Sequence, residues 1–144
     1  MANNPYQKYQ NTQVETSNQE RLVLMLYNGA LKFVKQAKQG LKNNDYQVTN
    51  NCLIRTQNII NELMVTLDME QGGEIAQNLE SLYDYMNRRL IEANINKSIE
   101  PMDEVIDMLE ELSDTWKQAM QNLKKERKVQ KKQQVPSGGI SVEG

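Results

Sequence analysis

Histidine is absent from this chain of 144 residues. That removes the Glu-x-x-His metal sites of di-iron four-helix proteins and every nucleophilic triad that needs an imidazole. Cysteine occurs once, as Cys52, so no internal disulfide can form. Cys52 falls at a helical core position, and a lone buried thiol suits a reducing cytosol and an inert role. Proline totals three and aromatics 6% of residues, a helical rather than a sheet composition. No apolar run approaches the ~20 residues needed to span a membrane. Residues 1–5 have neither a basic region nor an apolar stretch, so no signal peptide is expected. Gly72-Gly73 lacks the spaced glycines and the Lys-Ser/Thr of a phosphate loop. Carboxylates are numerous, but Asp103, Asp107, Glu110, Glu111 and Asp114 share an outer helical face, which is expected to be solvated. No pair is placed for acid–base work, so neither an enzyme nor a metal or cofactor site is expected.

The net charge of −2 conceals an asymmetry. Residues 1–123 carry 11 basic and 17 acidic side chains, and residues 124–144 carry six and two. An acidic body with a short basic tail lacks the basic face of a nucleic-acid-binding domain. The basic run at 124–132 is expected to be a solvated helix end; a peripheral nucleic-acid or membrane contact is the other use for it.

What the chain does contain is helical periodicity. Residues 82–94 run without Gly or Pro, and at 100° per residue Leu82, Met86, Leu90 and Ala93 share one face with Ile75 and Leu79. Asp84, Arg88 and Glu92 form an i, i+4, i+8 ladder on the far side. Three further patterns surround this helix. Ser17-Asn18-Gln19-Glu20 matches a capping box and opens a first helix with core face Leu22, Leu26, Gly29, Ala30, Phe33, Ala37 and Leu41. A second helix carries Cys52, Leu53, Thr56, Ile60, Leu63 and Leu67. A fourth, with Pro101 in its first turn, carries the 4-3-4-3-4 seam Val105, Leu109, Leu112, Trp116, Ala119 and Leu123.

The expected fold is all-α: an antiparallel up-down-up-down four-helix bundle over 17–125, with helices at about 17–41, 46–67, 73–96 and 100–125. An N-terminal arm occupies 1–16 and a disordered basic C-terminal tail 126–144. The arm has Tyr6, Tyr9 and Val14, which are either part of a frayed terminus or docked in a groove.

Three helices carry apolar or amide groups outside their core stripes: Leu24, Tyr27 and Leu31; Ile54, Asn58, Asn61 and Val65; Tyr85, Ile91 and Ile95. Singly exposed apolar residues are normal. The same departure on three helices, and not on the fourth, points to partner contact, since amphipathic segments dock in such grooves. A structural bundle that homo-oligomerises through these stripes is the alternative.

Several blocks carry a family resemblance. They are Asn4-Pro5-Tyr6-Gln7-Lys8-Tyr9, Leu24-Met25-Leu26-Tyr27-Asn28-Gly29-Ala30, Gln57-Asn58-Ile59-Ile60-Asn61-Glu62-Leu63, Gly72-Gly73-Glu74-Ile75-Ala76-Gln77-Asn78-Leu79, Leu82-Tyr83-Asp84-Tyr85-Met86 with Arg88-Arg89-Leu90-Ile91-Glu92-Ala93-Asn94, and Glu104-Val105 with Trp116-Lys117. In order and spacing over about residues 4–120, they resemble the flagellar secretion chaperone FliS. Ser17-Asn18 stands where that family usually has Ser/Thr-Pro. The resemblance implies a cytoplasmic bundle that holds the disordered C-terminal segment of flagellin, prevents premature polymerisation and presents it to the flagellar export gate. It also implies an arm, here with Tyr6, Tyr9 and Val14, that covers a groove until flagellin displaces it. No nucleic acid, membrane insertion or cofactor is implied, and the free protein is expected to be a monomer or weak homodimer.

Overall fold

In the computed structural model the backbone is described for residues 5–143 and the side chains for 18–130. Four helices account for most of it: α1 (Pro5–Lys42), α2 (Tyr46–Val65), α3 (Gly73–Asn96) and α4 (Ile99–Glu143). No strand occurs among the described residues, so the fold is all-α. The chain divides into two compact units, Met1–Ser113 and Asp114–Gly144, the second being the C-terminal part of α4.

The turns explain where the middle helices stop and start. Asn44 takes a left-handed conformation, and the Asp45 carboxylate accepts the Val48 N–H at 3.2 Å, capping α2. Thr66 folds its hydroxyl back onto the Leu63 carbonyl at 2.6 Å, and α2 ends at Val65, two residues before the expected end. Gly72 is required by space: a Cβ there lies 2.6 Å from the Asp68 carbonyl oxygen and 2.7 Å from the Ala76 Cβ. At the end of α3, Lys97 is left-handed at φ 49°, and its N–H and that of Ser98 both return to the Ala93 carbonyl.

The outer helices are longer than expected. Pro5, which suits a first helical position, opens α1, and residues 6–16 contain neither Gly nor Pro to stop it. The capping box at Ser17 therefore lies inside a continuous helical backbone, and the side chain of Ser17 is outside the described residues. Likewise α4 does not end near 125: its backbone stays helical to Glu143. The run from Lys117 is rich in Lys, Gln, Glu and Arg, good helix formers that propagate a helix already started.

The core lies in the first unit. On α1 it consists of Val23, Leu26, Tyr27, Ala30, Val34 and Ala37. This corrects the expected stripe: Leu22 is exposed, while Gly29, Phe33 and Leu41 are half-buried. Residues 22–27 are apolar on every side, so periodicity alone does not choose the buried face. Contact with α2 chooses it. Arg55 lies over the Phe33 ring, 5.3 Å from its centroid, and covers it from outside. Gly40 permits close approach, since a Cβ there meets Val48 Cγ1 at 3.0 Å and Thr49 Oγ1 at 3.1 Å. The buried Thr49 hydroxyl lies within hydrogen-bond reach of the Ala37 carbonyl (3.2 Å) and the Asp45 carbonyl (3.1 Å).

On α2, Leu53, Thr56, Ile60 and Leu63 are buried as expected, but Cys52 is only half-buried, its Sγ 3.8 Å from Gln36 Oε1. On α3, Met86, Leu90 and Ala93 are buried, joined by Ala76 and Tyr83 in place of Ile75 and Leu82, which are exposed. On α4, Met102, Val105, Ile106, Leu109 and Ser113 are buried. The expected seam therefore holds at Val105 and Leu109, while Leu112 and Trp116 are half-buried and Ala119 and Leu123 exposed.

Tyr83 takes the core place expected of Leu82, and its hydroxyl is satisfied there. Its hydroxyl lies 2.6 Å from that of Tyr27, one donating and the other accepting. Burial pushes both phenols above the ordinary tyrosine range. Removing one hydroxyl leaves its partner buried and unsatisfied, whereas removing both leaves nothing to satisfy. Tyr27→Phe and Tyr83→Phe are each expected to cost about 1–3 kcal/mol in denaturant unfolding, and the double variant less than the sum of the two. Additive losses would show that the two hydroxyls are not coupled.

Candidate functional site

Part of the surface that α2 and α3 leave unburied carries apolar and amide side chains in turn along each helix. On α2, Ile54, Asn58, Asn61 and Val65 are exposed, with Ile54 at 45% and Val65 at 85%. On α3, Ile91 is 45% and Ile95 76% exposed, and Asn87 and Asn94 are half-buried. Two amide couples join the helices. Asn87 Nδ2 donates to Asn61 Oδ1 at 2.9 Å, and Asn94 Nδ2 donates to Asn50 Oδ1 at 2.7 Å. Ile54 lies between Asn50 and Asn61 along α2, and Ile91 between Asn87 and Asn94 along α3. The two isoleucines are thus bracketed by polar groups that fix the spacing of their helices.

A second cluster lies where α3 meets α4. Arg89 Nε donates to Glu104 Oε1 at 3.0 Å, and its Nη1 pairs with Glu92. The Tyr85 hydroxyl donates to Glu104. That hydrogen bond, with the Arg89 guanidinium beside it, holds the Glu104 carboxyl below the usual carboxylate range, and the same bond pushes the Tyr85 phenol up. Lys35–Glu110 (3.3 Å) and Lys38–Asp103 (2.6 Å) link α1 with α4. The first of these pairs is exposed and contributes little to stability.

The sequence-based candidates therefore separate. Ile54, Asn58, Asn61, Val65, Ile91 and Ile95 are all exposed on α2 and α3. Tyr85 is exposed too, but it belongs to the Glu104 cluster rather than with Ile91. Leu24 and Leu31 are half-buried on α1. Tyr27 is corrected: at 2% exposure it is a core residue, because its hydroxyl has a buried partner in Tyr83. The side chains of Tyr6, Tyr9 and Val14 lie outside the described residues.

Asn50, Asn87 and Asn94 were missed as members of this face. A signal for the last two was present, since Asn87, Ile91 and Asn94 recur at i, i+4, i+7. Among the described residues no group of His, Cys, Asp or Glu is placed to hold a metal ion, and no helix is long and apolar enough to cross a membrane.

Fold and face together define an all-α protein whose distinctive chemistry lies along a helical surface. A family model described as "Flagellar protein FliS" matches residues 2–123. The flagellar secretion chaperone FliS of Bacillus subtilis is 43% identical over 124 residues, 86% of this chain and 92% of that protein. The FliS chaperone of Salmonella typhimurium is 39% identical over 73% of this chain and 78% of its own length. That of Campylobacter jejuni is 34% identical over 85% and 96% respectively. The chain belongs to the FliS family of flagellar secretion chaperones.

Proposed function

We propose that this protein is a cytoplasmic, non-enzymatic chaperone. In this reading it binds the disordered C-terminal segment of flagellin, keeps flagellin from polymerising early and delivers it to the flagellar export gate. The observation that carries this reading is the exposed face of Ile54, Val65, Ile91 and Ile95 with its asparagines, on a chain of this family. A disordered segment that orders on binding must offset about 2–5 kcal/mol or more of ordering cost by burying a large surface. Apolar groups spread along two helices provide such a surface, and asparagines between them can satisfy the polar groups of an incoming backbone. No nucleotide or metal enters this scheme.

The arrangement that goes with it is an antiparallel up-down-up-down bundle over residues 17–125. Pairings between the helices support this. From Gly29–Ile59 through Gln36–Cys52 to Gly40–Val48, residue numbers rise on α1 as they fall on α2. The Asn61–Asn87 and Asn50–Asn94 couples run the same way for α2 and α3, and Lys35–Glu110 and Lys38–Asp103 for α1 and α4. Residues 1–16 then serve as the arm, with Tyr6, Tyr9 and Val14 competing for the groove at high effective concentration, and residues 126–144 as a flexible tail.

The test is direct. Mixed with a C-terminal fragment of flagellin, the protein is expected to co-elute as a 1:1 complex in size exclusion at roughly ten micromolar. Separate elution of the two at that concentration would remove this reading.

A further inference from the structure

The two amide couples across α2 and α3 are not equivalent. Asn94 is satisfied at both ends of its amide: Nδ2 donates to Asn50 at 2.7 Å, and Oδ1 accepts from Lys97 Nζ at 2.6 Å. Asn87 is satisfied at one end only. Its Nδ2 donates to Asn61, while its Oδ1 is buried and has no hydrogen-bond partner among the described residues. Exchanging oxygen and nitrogen does not relieve this, because turning both amides over replaces an orphaned acceptor with an orphaned donor. Buried polar groups are otherwise paired in most proteins, because leaving one unpaired costs free energy.

The orphan sits beside the face described above. Asn87 is one helical turn before Ile91, and Asn61, its one bonded partner among the described residues, is exposed on the same α2 face as Asn58 and Val65. Behind it Ile60, Met86 and Leu90 are fully buried. Because Asn61 is exposed, the couple can open toward solvent without disturbing those three residues.

We propose, on the strength of the flagellin-binding reading, that Asn87 determines how the bound segment is recognised. Its amide opens with Asn61 and pairs with a peptide group of flagellin where the flagellin chain is extended. A side-chain amide offers both donors and an acceptor, matching the N–H and C=O of an extended backbone. Peptide groups inside a helix are already bonded to one another and have nothing to exchange. Beside the apolar contacts of Ile54 and Ile91, recognition is therefore through backbone. The orphaned oxygen is a cost the free chaperone carries and the complex removes.

This makes stability and affinity move in opposite directions, which a merely structural asparagine does not do. Asn87→Ala and Asn87→Leu are expected to raise the Tm of the free protein by about 2–5 °C. The rise should exceed that of Asn78→Ala, an exposed position of the same helix that reports the gain in helix propensity alone. Both variants are expected to weaken binding of the C-terminal flagellin fragment about 3- to 10-fold by calorimetric titration. A proline scan of the fragment should find a position where loss of the backbone N–H weakens the wild-type complex and leaves the Asn87→Ala complex unchanged.

Wild-type affinity in Asn87→Ala, a Tm gain no larger than that of Asn78→Ala, or a proline scan without such a position overturns the role of Asn87 and leaves the flagellin reading standing. Absence of any wild-type complex overturns both.

Discussion

Leu90→Ala should lower the unfolding free energy by about 2–5 kcal/mol and the Tm by about 10 °C, while Ile91→Ala, its neighbour, should change stability by no more than about 0.5 kcal/mol. The contrast comes from the angle between adjacent helical positions. Leu90 is fully buried among the core residues of the first unit, so truncation leaves a cavity as well as losing transfer free energy. Ile91 has nearly half its surface in water and little to lose. Measured by urea unfolding followed by circular dichroism, equal losses at the two positions would mean that α3 buries a different face and that Ile91 is a core residue. That outcome would also remove Ile91 from the partner surface, so the experiment bears on fold and site together.

Ile54→Asp and Ile91→Asp should each weaken the complex with the C-terminal flagellin fragment about 10- to 100-fold while leaving helical content intact. Covering a half-exposed isoleucine removes its remaining apolar surface from water, and an aspartate at the same position must lose hydration without gaining a partner. On α2, Asn50 and Asn61 lie on either side of Ile54, and on α3, Asn87 and Asn94 on either side of Ile91. A single docked chain that covers both should therefore feel both substitutions. Val65→Asp, at the far end of α2 and more exposed still, serves as a position where the length of the covered face can be read. If the aspartate variants lose helical signal in parallel with affinity, these isoleucines hold the fold. If affinity is unchanged in both, the bound segment lies elsewhere.

Much of the fold was legible because helical punctuation is local. Asp45 caps α2 through its own carboxylate, Gly72 is demanded by the Asp68 carbonyl, and the break at Lys97 needs only its left-handed backbone. The ends of α1 and α4 were less legible. Nothing in residues 6–16 or 117–134 forbids a helix, and a capping box is a start signal that a longer helix can run through. On the face, Ile54, Asn58, Asn61, Val65, Ile91 and Ile95 were reachable by counting angles, since each departs from its helix's core stripe. Tyr27 was not. It departs from the stripe expected for α1 and is buried nonetheless, because residue 83, on another helix, presents a hydroxyl to it. Cys52 failed in the opposite sense, falling on the expected stripe and yet remaining half-buried.

Composition and periodicity by themselves determined that this chain is helical and in how many pieces. They also excluded imidazole chemistry and internal disulfides, and ordered blocks of residues carried the resemblance to flagellar secretion chaperones. These follow from residue types and from spacing along one chain, which is information a sequence holds completely. Only the tertiary structure decided which of two adjacent apolar residues faces inward: Val23 over Leu22, Tyr83 over Leu82, Ala76 over Ile75. Only it placed Asn87 against Asn61 with one oxygen unsatisfied. A helix with apolar residues on several sides has more than one buried face open to it, differing by a rotation of about 100° per residue. Which rotation prevails depends on the hydroxyl, glycine or amide that another helix brings to the same depth, and no single segment contains that information.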